Sequence, residues 1–152
     1  MKVVYKWTDG NSEDFQRFYS KTEEYYSSIV GGIRNREGFV PYNISANITR
    51  VLIAYVEGVP AGCVGLKTYS ENEIEIKRLW VDPEYRGNHI ADELMDRIEK
   101  RAKYFGYEKA ILQTRPQMGA AVSLYLKRGY VLINNYPPYD KLEGAICFSK
   151  TL

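Results

Sequence analysis

At 152 residues the chain has the length of one domain, and 45% hydrophobic residues are enough to fill a sizeable core. A net charge of +2, with 26% charged residues of both signs interleaved, describes a near-balanced surface and leaves no basic stripe for nucleic acid. The longest apolar run, Val51 to Val56, is far shorter than the ~20 residues of a membrane span, and Met1 to Lys6 is not a secretory signal, so a cytoplasmic protein is expected.

Lys2 to Trp7 alternates polar and apolar residues, which predicts a half-buried strand. Asn11 or Ser12 caps a helix running to about Ser28, with Phe15, Phe18, Tyr19, Tyr25, Tyr26 and Ile29 as its apolar stripe and Gly31-Gly32 ending it. Residues 33–47 mix Gly38, Pro41 and Asn43 with other types and predict a short helix or turn followed by a connection. Val51 to Val56 and Ala61 to Tyr69 form a hairpin around Glu57-Gly58-Val59-Pro60. The next strand, Glu73 to Val81, places Glu73, Glu75, Lys77, Leu79 and Val81 on one face, and Ile74, Ile76, Arg78 and Trp80 on the other, if no bulge intervenes. Asp82-Pro83 ends it.

Ile90, Ala91, Leu94, Met95, Ile98, Ala102 and Phe105 then recur at helical spacing, with Asp92 and Glu93 in the first turn and Gly106 at the end. Lys109 to Thr114 reads as a short buried strand, and Met118 to Lys127 as a helix closed by Gly129. Tyr130 to Asn134 and Ala145 to Leu152 are strands joined by a loop carrying Tyr136, Pro137, Pro138, Tyr139 and Lys141.

The two cysteines, Cys63 and Cys147, sit in separate strand-like runs without a CxxC pattern and are expected to be buried reduced thiols. His89 is the sole histidine, so no metal site is expected. The 14 tyrosines suit both core edges and a ligand pocket with a few polar contacts.

The stretch from Ile74 to Tyr104 has the order strand, Asp-Pro, short loop, amphipathic helix, which can make an anion site. The first turn of a helix presents N–H groups without intrahelical partners, at the positive end of its dipole. Arg86 adds a full charge there. Gly87 permits a sharp turn, and Asn88 and His89 accept positive φ at modest cost, so several N–H groups can converge on one ligand. On these residues alone, a plain structural turn remains an equal reading.

The run Lys77-Arg-Leu-Trp-Val-Asp-Pro-Glu-Tyr-Arg-Gly-Asn-His-Ile-Ala91, followed later by Ala121-Val-Ser-Leu-Tyr125-Leu-Lys-Arg-Gly129-Tyr130, resembles the GNAT superfamily of acetyl-CoA-dependent N-acetyltransferases. The resemblance implies a GNAT acyl-CoA N-acyltransferase fold of the α/β (α+β) class, a mixed, mostly antiparallel sheet of about six to seven strands flanked by about four helices. It implies that Arg86, Gly87, Asn88, His89, Ile90 and Ala91 cradle the pyrophosphate of acetyl-CoA, with His89 standing where the family usually has glycine. It also implies that the preceding strand splays from its neighbour. Backbone groups of Leu79 and Val81, with Trp80 between them, then pair with the pantetheine arm, and a β-bulge would explain the opening. Where relatives often carry Asn or Gln to hold the cofactor's amide, this chain has Met118, and Gln117 beside it or backbone groups are the expected substitutes.

The chemistry sets its own demand. An alkyl amine of pKa ~10.4 is almost wholly protonated at pH 7, and freeing it costs about 4.6 kcal/mol. Glu75 matches the position of a catalytic glutamate in several family members and is expected to take the proton, directly or through water, or else to bind or orient the substrate ammonium or to pair with Lys77 or Arg78. Tyr125 matches a family tyrosine near the thioester sulfur, a proton or hydrogen-bond donor to the leaving thiolate, or a core residue under the cofactor. A backbone N–H at Val81 is expected to stabilise the oxyanion. Tyr26, Arg34, Tyr136 and Tyr139 are candidates for acceptor binding, with Arg34 suited to a carboxylate. The expected protein is a monomeric or homodimeric single domain that acetylates a small-molecule or amino-acid-like amine. The alternatives are a protein or peptide N-acetyltransferase and a non-catalytic acyl-CoA-binding regulatory module.

Overall fold

The computed structural model describes residues 1–29 and 48–152. Arg34 and the short helix expected between residues 33 and 47 lie outside the described residues. The elements are β1 (Val3–Thr8), α1 (Glu13–Ile29), β2 (Arg50–Val56), β3 (Val59–Thr68), β4 (Glu73–Val81), α2 (Ile90–Tyr104), β5 (Lys109–Thr114), α3 (Gly119–Lys127), β6 (Val131–Ile133) and β7 (Ile146–Thr151), with single 3-10 turns at Pro83–Tyr85 and Tyr139–Lys141. Three α-helices occur among the described residues, against about four expected.

The seven strands form one sheet in the order β1-β2-β3-β4-β5-β7-β6. Every neighbouring pair is antiparallel except β4 and β5, which run parallel. The β2–β3 hairpin is tighter than the sequence pattern suggested. Val56 pairs with Val59, and the turn is the two residues Glu57 and Gly58, both at positive φ (50° and 81°). Such a turn matches the right-handed twist of its strands.

Strand alternation divides the core. Leu52, Ala54 and Val56 of β2 face α2, where Ile90, Leu94, Met95, Ile98 and Ala102 form the helix's buried stripe. Val51 and Ile53 face the other way, onto Phe15 and Phe18 of α1. A third cluster joins Ile111 and Cys147 to Tyr136, Tyr139 and Ala145 of the loop before β7. Both cysteines are free and buried. α2 also carries a buried carboxylate, Glu99, which accepts from Arg128 (3.0 Å), Tyr130 (2.9 Å) and Lys150 (2.7 Å) and so ties the helix to β7 and to the turn after α3.

The departure from regular geometry that matters for the site is in β4. Gly65 pairs with Lys77 but Cys63 pairs with Trp80, so Arg78 and Leu79 together oppose Val64. This is a β-bulge, with Arg78 at φ 57°. It corrects the strict alternation expected for the strand: Leu79 and Val81 join Ile74 and Ile76 on the α2 face, while Trp80 packs with the α1 cluster. A non-glycine residue in that conformation costs of order 1–3 kcal/mol. Contacts to α1 offset it: the Arg78 guanidinium donates to Thr22 Oγ1 (3.0 Å) and to Glu23, and stacks over the Tyr19 ring (4.2 Å to the centroid).

Beside the bulge, Gly62 lets β3 approach β4 closely. A Cβ at this position would lie 2.7 Å from the Trp80 carbonyl oxygen and 3.2 Å from Val81 Cγ2. Gly62→Ala is therefore expected to destabilise the fold by about 1–3 kcal/mol, read as a lower urea midpoint at unchanged m. Gly119→Ala, where an added Cβ meets nothing within 4 Å, is expected to leave the midpoint unchanged or raise it.

Candidate active site

The parallel β4–β5 ladder is short: Glu73 pairs with Lys109, Ile74 with Ala110 and Glu75 with Ile111. Beyond that point β5 follows β7 as far as Thr114–Ile146, while β4 stays with β3. The two strands diverge into a cleft of about 280 Å³. Its walls are Lys77 to Val81 on one side and Gln113, Thr114 and Arg115 on the other. Ala91 of α2, and Met118, Ala121, Leu124 and Tyr125 at α3, also line it, and Tyr25 and Tyr26 reach it from α1.

Alternation sets which backbone groups face this opening. The Asp82 N–H donates to Ala61 O (2.8 Å), which fixes that peptide toward β3. The N–H and C=O of Val81, one residue back, therefore point away from β3 toward the open side, and by the strand period of two so do those of Leu79. The Val81 carbonyl is used, accepting from Arg86 Nε at 2.8 Å. The same guanidinium lies over the Trp80 ring, 4.8 Å from its centroid, so Arg86 is folded back against the strand end. Asp82 braces this corner by accepting from Trp80 Nε1 (2.8 Å) and Lys21 (3.0 Å).

The loop into α2 turns through two left-handed residues, Gly87 at φ 83° and His89 at φ 60°. Asn88 stabilises the turn by donating its side-chain amide to Tyr85 O (3.0 Å). Glu93 is the first residue whose N–H reaches a helical carbonyl, that of His89. The backbone N–H groups from Gly87 to Asp92 have no backbone acceptor among the described residues, the arrangement that suits an anion. The His89 side chain is 88% exposed, with Nδ1 3.8 Å from the Asp92 carboxylate, so histidine supplies the turn and leaves the N–H cluster open. The acidic side chains of the first turn are drawn elsewhere: Glu93 pairs with Arg97 (2.8 Å), and Asp92 lies 3.7 Å from Arg128.

Tyr125 lies at the cleft with its ring buried against Tyr130 and Phe148 (centroids 5.8 and 6.4 Å apart). Burial, reinforced by Tyr26, raises its phenol well above the ordinary value, so the hydroxyl keeps its proton. Met118 lines the cleft, whereas its neighbour Gln117 is exposed and does not.

Glu75, Tyr136 and Tyr139 come together, one layer behind the cleft wall. Tyr136 donates to Glu75 Oε2 (2.7 Å), and its own phenol is pushed up by burial and by that carboxylate. Lys77, two residues along the same strand face, connects this cluster to the opening. Its Nζ lies 3.7 Å from Glu75 Oε1 and donates to the Tyr139 hydroxyl (2.7 Å), and Lys77 is one of the residues that line the cleft. Burial lowers the Lys77 ammonium to about 8, although Glu75 acts in the opposite direction.

Sequence reasoning missed Lys77, Gln113 and Thr114 as cleft residues. Gln113 and Thr114 were legible in principle, since a parallel neighbour of β4 that runs past the last paired residue must form the other wall. Cys63 and Cys147 lie outside the cleft, and burial raises both thiols. Among the described residues, no group of acidic, histidine or cysteine side chains is placed to hold a metal ion, and no helix is long and apolar enough to cross a membrane.

Residues 6–130 match the acetyltransferase (GNAT) family. Over 104 residues the chain is 32% identical to an IAA acetyltransferase of Azospirillum brasilense, a match that covers 68% of each chain. It is 33% identical over 93 residues to an amino-acid acetyltransferase of Mannheimia succiniciproducens, covering 60% of this chain and 20% of that longer protein. The PaiA N-acetyltransferase of Thermoplasma acidophilum, solved in complex with coenzyme A, aligns over 100% of both chains with a TM-score of 0.68 and 21% identity, a likeness of fold. With most of its length matched and a splayed strand pair at the centre of its sheet, the chain belongs to the GNAT acetyltransferase family.

Proposed function

We propose that the chain transfers the acetyl group of acetyl-CoA to a primary amine of a small, amino-acid-like acceptor by direct attack in a ternary complex. The observation that carries this reading is the opening between β4 and β5, with the N-terminus of α2 at its mouth. The unpartnered N–H groups after Arg86 suit a pyrophosphate, and the free side of Leu79 and Val81 suits an extended amide-bearing arm that adds to β4 like another strand. The coenzyme A bound to the Thermoplasma acidophilum protein supports the same assignment. The names of the Azospirillum and Mannheimia relatives support a compact acceptor with an acidic group.

In this reading the acceptor enters from the α1 side, where Tyr26 lines the cleft and Glu75, Tyr136 and Tyr139 form the layer behind it. Glu75 supplies the negative charge toward which the acceptor's proton moves. The freed amine attacks the thioester carbonyl, the Val81 N–H stabilises the oxyanion, and the neutral Tyr125 hydroxyl donates to the departing thiolate. No covalent acyl-enzyme forms, so neither cysteine takes part.

Two expectations check the assignment by different readouts. In a thiol-release assay over a panel of amines, Tyr125→Phe should lower kcat by up to ~10²-fold with little change in acetyl-CoA affinity. Thiol release by no amine from a chain that binds acetyl-CoA would instead indicate a binding module. Gly87→Val places a β-branched residue at φ 83° and should weaken acetyl-CoA binding by about tenfold in calorimetry, since ~1.4 kcal/mol of loop strain is a factor of ten.

A further inference from the structure

Acetyl transfer needs a proton acceptor that the bound ammonium can reach, yet Glu75 does not line the cleft, and its Oε2 is engaged by Tyr136. Lys77 does line it. It follows Glu75, the last residue of β4 paired with β5, by two positions on the same face, and it joins the cleft wall to the buried cluster, with Nζ 3.7 Å from the Glu75 carboxylate and 2.7 Å from the Tyr139 hydroxyl. We propose that Lys77 is the group that deprotonates the acceptor, with Glu75 stabilising the lysine ammonium that results; the inference rests on the acetyl-transfer reading above.

The step balances without a further reactant. The acceptor ammonium gives a proton to the lone pair of neutral Lys77 Nζ, and the freed amine nitrogen bonds to the thioester carbonyl carbon. The carbon–sulfur bond breaks, and the sulfur leaves as thiolate or takes a proton. The nitrogen of the new amide loses its second proton to solvent, as Lys77 then does. Before transfer the lysine must be neutral, since an ammonium has no lone pair to take the proton.

The surroundings shift Lys77 toward that neutral form. Burial is the largest influence, and Arg78 on the same strand and Lys67 on β3 act in the same direction. Glu75 opposes them. The other titratable groups facing the cluster are uncharged or already paired: Tyr136 and Cys147 hold their protons through burial, Tyr139 accepts from Lys77 itself, and Glu23 of α1 is engaged by Arg78. With an ammonium brought to about 8, roughly a tenth of Lys77 is neutral at pH 7, against well under a hundredth for an ordinary lysine.

The alternative is a lysine that only positions Glu75 and Tyr139. Lys77→Arg separates the two roles, because arginine keeps the charge and the donors but does not release a proton near neutral pH. Lys77→Met keeps the stem and removes the amine. With the best acceptor from the amine panel, log kcat/KM of the unmodified chain should rise with pH and level off near 8. Both variants should lose that break and fall by about 10²-fold or more at pH 7, while acetyl-CoA affinity by calorimetry stays within about threefold. Retention of the break by Lys77→Arg would overturn the proposal and leave a positioning role. Absence of turnover in the unmodified chain would overturn the acetyl-transfer reading and this route with it.

Urea unfolding reads the titration independently of turnover. An ammonium lowered on folding means that the unfolded chain binds more protons between pH 8 and ~10.4, so stability contributed by Lys77 increases as pH rises through that window. The difference in stability between the unmodified chain and Lys77→Met should therefore change with pH there. A difference independent of pH would contradict a neutral lysine in the folded state.

Discussion

The brevity of the β4–β5 ladder is the constraint on which the rest of the site depends. Parallel strands buried between helices normally pair along their length, because an unpaired backbone group away from water is costly. Here pairing ends at Glu75–Ile111, and the bulge at Arg78 turns the remainder of β4 without detaching it from β3. The result is a strand edge in the middle of a sheet, with the Leu79 and Val81 peptides presented to an open cleft. Arg78 is the hinge of this arrangement in both senses: its backbone makes the bulge, and its side chain fastens α1 beside it.

The same geometry separates two environments of opposite electrostatic character. At the α2 end, N–H groups and the folded-back Arg86 offer positive potential, and the acidic residues of the first turn are drawn away by Arg97 and Arg128. At the other end, Glu75, Lys77, Tyr136 and Tyr139 form a buried polar cluster supplied by β4 and by the loop before β7. A buried carboxylate and a buried amine are each costly alone, and their mutual contacts with two tyrosine hydroxyls make the pair tolerable. The buried polar cluster and the positive end of α2 thus lie at opposite ends of one short strand.

Much of this architecture was legible in the sequence because local signals agreed. Phe15 and Phe18 on a helix, the alternation of Val51 to Val56, and the stripe from Ile90 to Ala102 each identified an element and its inner face. Pro83 and Gly87 marked the turn, and Arg86 to Ala91 carried the family pattern. What was not legible depends on tertiary context. The residue at which β4 shifts phase is invisible to a period-two reading, so the faces of Leu79, Trp80 and Val81 came out inverted. Sequence spacing puts Glu75 at the cleft but cannot show that the Tyr136 hydroxyl, sixty-one positions away, engages it. Lys77 read as one more alternating charge until the end of the ladder put it at the opening.

The proposed function requires that the divergence of β4 from β5 bind the cofactor. A crystal structure of the chain with acetyl-CoA tests it most directly. The pyrophosphate should lie against the N–H groups of residues 87–92 and the pantetheine arm alongside Leu79 and Val81, with the thioester next to Tyr125. Acetyl-CoA bound elsewhere, or a β4–β5 cleft closed by strand pairing in solution, would contradict it.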